Sequence, residues 1–318
     1  MDTHDLPSYI ERPEWHWYQR FLPQRLRYTN DTIPSEEWFA WRDAQIHVDR
    51  IANPTAPLKV LLLHGGGGNG RVLLPLGAML YRMGYEVIAP DFPGYGLTRF
   101  GKESRPHYQT WSEIASDLVD GELEADDRPV VAFGLSIGGM LAYLTAARNP
   151  RVAGLIATTF ADVRDIRVRD AVSKNLFLSR VGGAFAQAFW FITDHLSLPI
   201  RMVTKMDLIT NDPQFSAVFK RDRLAGGGAM SFRFMRSLLQ MTPAVEPEQF
   251  TSCPVLLAHP GLDPWTTLSI SRPFYDRIAA QKELVVLDGA GHFPYEEPGL
   301  SRLHDALAAL LDRVASAG

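Results

Sequence analysis

The chain has 318 residues, of which 46% are hydrophobic and 21% charged, and its formal net charge is −4 at pH 7. This composition is typical of a folded globular protein, and the length allows one large α/β domain with an insertion, or two domains. The charges are mixed along the chain, without the basic stripe and interleaved aromatics of a nucleic-acid-binding surface, so we expect no nucleic-acid partner.

The cysteine count and the first residues narrow the class of protein further. The single cysteine, Cys253, excludes a disulfide within the chain and a cysteine-rich metal site. The opening stretch, MDTHDLPSYIERPEW, lacks the apolar core of a signal peptide. No run approaches the roughly 18 apolar residues of a membrane span. We therefore expect a cytoplasmic protein without a membrane span.

The N-terminal quarter of the chain predicts an extension followed by edge strands. Residues 1–36 are rich in Pro, Arg and aromatic residues, and we interpret them as an N-terminal extension packed on the surface, either a scaffold or a contact in a possible homodimer. Residues 37–51 alternate in polarity and are rich in β-forming residues, which predicts one or two antiparallel edge strands. The apolar run LKVLLL at 58–63 is typical of a strand buried on both faces of a parallel sheet.

Strands and helices then alternate, which predicts a parallel sheet covered by helices on both faces. The helix at 110–124 has a capping pattern, with Thr110 followed three residues later by Glu113. The alternation stops at about residue 163 and resumes at residue 254. Further strands are predicted within 85–96 and at 129–133, 152–159, 254–259 and 283–288. Further helices are predicted to end at Met83, to begin after Ser136, to lie before residue 283 and to span 296–315.

The segment 163–245 contains no comparable strand run and reads as a helical cap inserted between sheet strands. It is rich in Phe, Met and Trp, which favours an apolar substrate pocket, although the same residues can simply pack the cap onto the core. The core domain then comprises 37–162 and 246–318. The candidate pocket residues in the cap are Phe189, Trp190 and Met235.

A glycine-rich turn around one serine is the strongest chemical signal. In VVAFGLSIGGML (130–141), Ser136 stands between a buried strand and a helix. A sharp turn that exposes this hydroxyl brings the residues two before and two after it close together, and Gly134 and Gly138 carry no Cβ that would clash. At the start of a helix, free N–H groups favour negative charge. The alternative is a glycine-rich packing turn, but the strand–turn–helix context favours a nucleophile.

A serine nucleophile needs a base and an orienting carboxylate, and later strand ends provide both. His292, in GAGHFP after the last strand, is the candidate base. Asp263, in GLDPW after the preceding strand, is the favoured acid because the ends of neighbouring strands bring their loops together. Asp162, after the strand that follows Ser136, is the alternative acid.

A second glycine loop, HGGGGNG at 64–70, can complete the site. An N–H of Gly66 or Gly67, together with that of Ile137, can stabilise an oxyanion. The loop lacks the Lys-Ser/Thr of a phosphate-binding P-loop. We interpret His64 as a structural residue that braces this loop.

The motifs HGGGGNG, DFPGYG, GLSIGG, GLDPW and GAGHFPYEEP occur in the order found in the α/β-hydrolase superfamily, and over residues 45–315, apart from the cap, the chain resembles its esterase and lipase-type members. It is similar to monoacylglycerol-lipase-type and lactonase-type hydrolases. The resemblance implies an eight-stranded, mostly parallel sheet, Ser136 as nucleophile, Asp263 as acid, His292 as base, and no cofactor. A serine at the nucleophile position argues against the haloalkane dehalogenases and epoxide hydrolases of this fold, which use aspartate.

The sequence therefore predicts a serine carboxylesterase that uses neither cofactor nor metal. Its expected partner is a small-molecule ester with a small or medium apolar acyl group or an aromatic group. The same triad can act on a lactone, an amide, a thioester or a C–C bond of a ring-cleavage product. A different class also remains open, because some members of this fold are non-catalytic small-molecule receptors.

Overall fold

A computed structural model describes residues 6–12, 14–177, 179–180 and 188–317. Its main sheet has eight strands in the order β1-β2-β4-β3-β5-β6-β9-β10. The strands are β1 Ser35–Trp41, β2 Ala44–Ile51, β3 Lys59–Leu63, β4 Glu86–Pro90, β5 Val130–Gly134, β6 Val152–Ala157, β7 Ser197–Pro199, β8 Ala229–Ser231, β9 Val255–Pro260 and β10 Lys282–Leu287.

The sheet is parallel from β4 to β10, while β1 and β2 form an antiparallel hairpin whose second strand pairs antiparallel with β4. Every residue of β3, β4 and β5 is buried, as expected for strands covered on both faces. The prediction of an eight-stranded, mostly parallel sheet is confirmed. The parallel order places the carboxyl ends of β3, β5, β6, β9 and β10 along one edge, where ligands bind in sheets of this type.

Helices lie before β1, between strands along the chain and after β10. They are α1 Glu14–Trp17, α2 Gly70–Arg82, α3 Tyr108–Ala125, α4 Ile137–Arg148, α5 Ile166–Val172, α6 Trp190–Thr193, α7 Ile200–Val203, α8 Pro213–Phe219, α9 Phe232–Leu239, α10 Leu268–Tyr275 and α11 Gly299–Ala317. The predicted capping of α3 by Thr110 is wrong. The helix begins two residues earlier, and His107 caps it by accepting a hydrogen bond from the N–H of Gln109.

The segment 163–245 carries helices α5 to α9 and, in addition, a two-stranded antiparallel sheet in which β7 pairs with β8. This small sheet could not be predicted from the sequence, because each of its strands has only three residues. Residues 178 and 181–187 of this segment lie outside the described part of the chain.

The N-terminal extension joins the core to the cap. The Tyr18 hydroxyl donates to Asp222 of the cap at 2.6 Å, and the Tyr9 hydroxyl donates to Asp91, just after β4, at 2.9 Å. The guanidinium of Arg82, in α2, donates to two backbone carbonyls of the extension at 2.7 and 2.8 Å. The extension therefore has contacts of its own with both parts of the molecule.

A buried ionic network lies where the extension meets the sheet. Arg71 donates to both carboxylate oxygens of Asp49 at 2.8 and 2.7 Å and to Glu36 at 3.0 Å. His47 lies between Glu36, 3.1 Å from its Nε2, and Asp91, 3.2 Å from its Nδ1. Asp91 in turn accepts the N–H of the first residue of α2 at 2.7 Å. The guanidinium and the imidazolium thus pair with three carboxylates and offset part of their charge.

We expect this network to make stability depend on pH through His47. Burial alone lowers its pKa, but the charge of Asp91 and hydrogen bonds to Asp91 and Glu36 raise it to about 10. The resulting stabilisation is complete below the ordinary value near 6.5 and is lost as the pH rises towards 10. Urea unfolding should therefore give a free energy of unfolding that falls from pH 7 to pH 10, and more steeply than in His47→Gln. Equal slopes in the two proteins would contradict the prediction.

Candidate active site

Ser136 occupies a strained turn between β5 and α4. Its backbone has φ 59° and ψ −129°, in a region that side-chain-bearing residues seldom adopt. The flanking glycines make the turn possible. A Cβ on Gly134 would overlap the carbonyl of Gly138, and a Cβ on Gly138 would overlap the carbonyl of Leu63 in β3. The turn therefore holds Ser136 at the carboxyl edge of the sheet, as the motif predicts.

The strain at Ser136 predicts a difference in stability between two substitutions. Glycine adopts a positive φ without a steric penalty, whereas alanine still has the penalty because it carries a Cβ. We expect Ser136→Gly to be more stable than Ser136→Ala by about 1 kcal/mol, because the relieved strain exceeds the added entropy of the unfolded chain. Guanidinium unfolding of both variants measures the difference. Equal or reversed stabilities would show that the turn is not strained at this residue.

The structure brings His292 together with Asp263. The ring Nδ1 lies 2.7 Å from Asp263 Oδ2, and both side chains are buried. Burial raises the pKa of Asp263, but the charge of His292 and hydrogen bonds from His292 and Thr266 outweigh it and hold the pKa well below its ordinary range. His292 stacks on Trp265 at 4.8 Å between ring centroids. Its Nε2 has no hydrogen-bond partner among the described residues, so this nitrogen is available to accept a proton.

Three threonines connect the serine turn to this pair. The N–H of Ser136 donates to Thr158 Oγ1 at 3.1 Å, just after β6. The next residue, Thr159, lies 3.3 Å from Thr266 through their hydroxyls. Thr266 donates to Asp263 Oδ2 at 2.6 Å. Because β6 separates β5 from β9 in the sheet, these contacts link the end of β5, which precedes Ser136, through the end of β6 to the end of β9, which precedes Asp263.

The alternative acid, Asp162, has a different environment. It accepts two hydrogen bonds from Arg164, at 2.9 and 2.8 Å. Arg164 also donates to Glu246, at 2.6 Å. Asp162 is thus engaged by an arginine, while Asp263 contacts His292.

The glycine loop lies against the serine turn. A Cβ on Gly65 would be 3.5 Å from Ser136 Oγ, and one on Gly66 would be 3.5 Å from Cδ1 of Ile137. Gly67 has φ +75°, which favours glycine at this position. The carbonyl of Ile137 accepts a hydrogen bond from Tyr108 at 2.5 Å. The glycine loop and the start of α4 therefore lie against each other beside Ser136.

His64 braces the glycine loop, as the sequence suggests. Its Nδ1 lies 2.9 Å from the carbonyl of Gly65, and its Nε2 accepts the N–H of Phe92 at 3.0 Å. Burial lowers the pKa of His64 to about 4, so the ring is neutral at pH 7 and links the loop to the segment after β4. His259 is also buried, in β9, and is not among the described residues that line the cavity beside Ser136.

A cavity of about 390 Å³ opens beside Ser136. Gly66, Ile137 and Met235 line it, so one of the three predicted pocket residues of the cap faces the serine. The other two are largely exposed: Phe189 is 43% and Trp190 is 55% accessible, and neither is among the described lining residues.

The sequence predictions did not include most of the other residues that line this cavity, among them Trp265 and Arg169. Trp265 follows Asp263 by two residues in GLDPW, and this closeness to a predicted site residue could have indicated that Trp265 lies at the site. Arg169 lies on a short helix of the cap, and no motif marks it.

Among the described residues, no helix is both long enough and apolar enough to cross a bilayer.

The chain is similar in sequence to proteins named as an esterase and as a lipase. The chain is 36% identical over 135 residues, or 42% of its length, to a pimeloyl-[acyl-carrier protein] methyl ester esterase from Xanthomonas oryzae pv. oryzae, and it spans 48% of that enzyme. It is 26% identical over 225 residues to a monoacylglycerol lipase from Mycolicibacterium smegmatis, covering 68% of this chain and 74% of the lipase.

Solved structures show the same fold. A soluble variant of monoglyceride lipase from Saccharomyces cerevisiae, in complex with a substrate analog, matches with a TM-score of 0.72 and 18% identity, covering 92% of this chain and 98% of that chain. A monoacylglycerol lipase from Paleococcus ferrophilus matches with a TM-score of 0.67 and 24% identity, covering 86% and 99%.

The family assignment follows from a match that extends from before β3 to the start of α11 and includes Ser136, Asp263 and His292. A model of the family described as Serine aminopeptidase, S33, matches residues 55–299, and the chain therefore belongs to this family of α/β hydrolases.

Proposed function

We propose that the protein is a serine carboxylesterase that works through an acyl-enzyme. The observation that carries the proposal is the buried hydrogen bond of 2.7 Å between His292 and Asp263 at the edge of the sheet where the half-buried Ser136 lines the cavity. The second ring nitrogen of His292 has no hydrogen-bond partner among the described residues. A base held in this way can activate a serine hydroxyl, which is a poor nucleophile alone. The relatives named as a methyl ester esterase and a monoacylglycerol lipase support an ester as the substrate.

The steps follow from the positions of the groups. His292 Nε2 takes the proton of Ser136 as Oγ attacks the ester carbonyl, and Asp263 stabilises the imidazolium that forms. N–H groups of Ile137 and of Gly66 or Gly67 stabilise the oxyanion. His292 then protonates the leaving alcohol, and water hydrolyses the acyl-enzyme with the same base.

The cavity favours an apolar acyl or aromatic group over an amino-terminal peptide. Its volume of about 390 Å³ is within the range typical of small-molecule sites, and most of its lining side chains are apolar. An aminopeptidase, the activity in the family's description, needs a negative group to bind the substrate's ammonium. The described residues that line the cavity include no Asp or Glu, but they do include Arg169 and Arg236.

The proposal is tested with p-nitrophenyl butyrate and a fluorophosphonate probe. We expect a burst of p-nitrophenol equal to the enzyme concentration, followed by slower turnover, and stoichiometric labelling by the probe at Ser136. The labelled residue is identified by peptide mass spectrometry.

Other outcomes point to the alternatives. A protein that shows neither burst nor labelling, yet binds small apolar molecules, would be a receptor rather than an enzyme. Labelling without ester turnover would direct the search to lactones, amides or C–C bonds, which the same triad can cleave.

A further inference from the structure

One charged group in the apolar cavity has no counter-charge in the part of the chain that the structure describes. Arg169 lines the cavity from helix α5, and its Nε donates to the carbonyl of Val163 at 3.2 Å. No carboxylate of the described residues lies within ion-pair distance of its guanidinium, in contrast to Arg236, which is paired with Asp194 at 2.5 Å. Arg169 therefore presents N–H donors in the same cavity that Ser136 lines.

The nearby acids are engaged elsewhere. Asp170, the next residue in the chain, accepts hydrogen bonds from Ser179 at 2.6 Å and from Arg180 at 2.7 Å. The cap residues outside the described part, 178 and 181–187, include no Asp or Glu. Arg169 therefore has no ion-pair partner among the described residues.

Helix α5 holds Arg169 in a fixed position. Asp165 caps the helix by accepting the N–H of Arg167 at 2.8 Å. At the other end, the carbonyl of Val172 accepts a hydrogen bond from the indole of Trp265 at 3.0 Å, and Lys205 donates to the carbonyl of Ala171 at 2.7 Å. Because Trp265 also stacks on His292, the helix that carries Arg169 is tied directly to the catalytic pair. A guanidinium positioned in this way is pre-organised for a ligand.

We propose that Arg169 is a specificity-determining residue that binds a carboxylate at the far end of the substrate's apolar chain, so that the preferred substrates are monoesters of dicarboxylic acids. The inference rests on the proposed function. A guanidinium matches a carboxylate with two parallel hydrogen bonds. The carboxylate supplies the charge that the cavity lacks, while the apolar walls take up the intervening methylene groups.

The test compares two methyl esters with acyl chains of equal length, monomethyl adipate and methyl hexanoate, by methanol release. We expect the wild-type kcat/KM to be about 10-fold or more higher for monomethyl adipate than for methyl hexanoate. Arg169→Gln should lower this preference by about 10- to 100-fold, the effect expected when a charge-assisted hydrogen bond is lost. Arg169→Lys, which keeps the charge but not the planar fork, should retain an intermediate preference.

Arg167→Gln is the matched control, because Arg167 lies two residues away on the same helix but pairs with Asp165 and has an 80% exposed side chain. It should keep the wild-type preference. The role of Arg169 is overturned if the wild type has the same kcat/KM for methyl hexanoate as for monomethyl adipate. It is also overturned if Arg167→Gln lowers the preference for monomethyl adipate as much as Arg169→Gln does. A wild type that hydrolyses neither methyl ester nor p-nitrophenyl butyrate would instead overturn the esterase function, and this proposal with it.

Discussion

Replacing Ser136 with alanine is expected to lower kcat for p-nitrophenyl butyrate by about a million-fold, the scale seen when a triad nucleophile is removed. The burst of p-nitrophenol should vanish, because no acyl-enzyme can form. The fold should be retained, since alanine keeps the backbone of the turn and the N–H that donates to Thr158 at 3.1 Å. Stopped-flow absorbance and far-UV circular dichroism measure both properties.

Ser269→Ala is a suitable control, because Ser269 is an exposed serine whose hydroxyl hydrogen-bonds, among the described residues, to Thr267, at 2.8 Å. It should retain the burst and the turnover of the wild type. If Ser136→Ala kept a full burst while the fluorophosphonate labelled another serine, the nucleophile would have to be sought elsewhere in the chain.

Features governed by local chemistry could be predicted from the sequence. The apolar runs of β3 and β5 need cover on both faces, which predicts a parallel sheet before any contact is known. The glycines around Ser136 are required because the carbonyls of Gly138 and Leu63 fill the space that side chains would occupy. The pairing of Asp263 with His292 was expected because β9 and β10 are neighbours, and their residues do align in parallel register.

Features governed by the cap could not be predicted in the same way. The residues that line the cavity come from segments far apart in the chain. In a short helix, the hydrophobic periodicity does not identify which side faces the core. Phe189 and Trp190 are as apolar as Met235, yet only Met235 is among the described residues that line the cavity. Arg169 resembles Arg167 of its own helix in sequence. Among the described residues, Arg169 lines the cavity and has no acidic partner, whereas Arg167 pairs with Asp165, and both differences are tertiary properties.

Replacing Asp263 with asparagine is expected to lower kcat by about ten-thousand-fold, because the change fixes His292 in the wrong tautomer. Asp263 Oδ1 accepts the N–H groups of Trp265 and Thr266 at 2.8 and 3.0 Å. An asparagine must keep its carbonyl oxygen there, which turns its NH₂ towards the Nδ1 of His292. The imidazole would then accept a hydrogen bond at Nδ1 and carry its proton on Nε2, where it cannot take the proton of Ser136.

The alternative acid supplies the control for this experiment. Asp162→Asn disturbs the pair with Arg164 but not the contact with His292, so we expect its kcat to stay within about fivefold of the wild type, as for a residue outside the catalytic hydrogen bonds. Steady-state kinetics with p-nitrophenyl butyrate, at a temperature where both variants are folded, compare the two. A large loss in Asp162→Asn together with a small loss in Asp263→Asn would assign the orienting carboxylate to the end of β6. The hydrogen bond of 2.7 Å between Asp263 and His292 would then hold the ring in place without fixing the tautomer that catalysis needs.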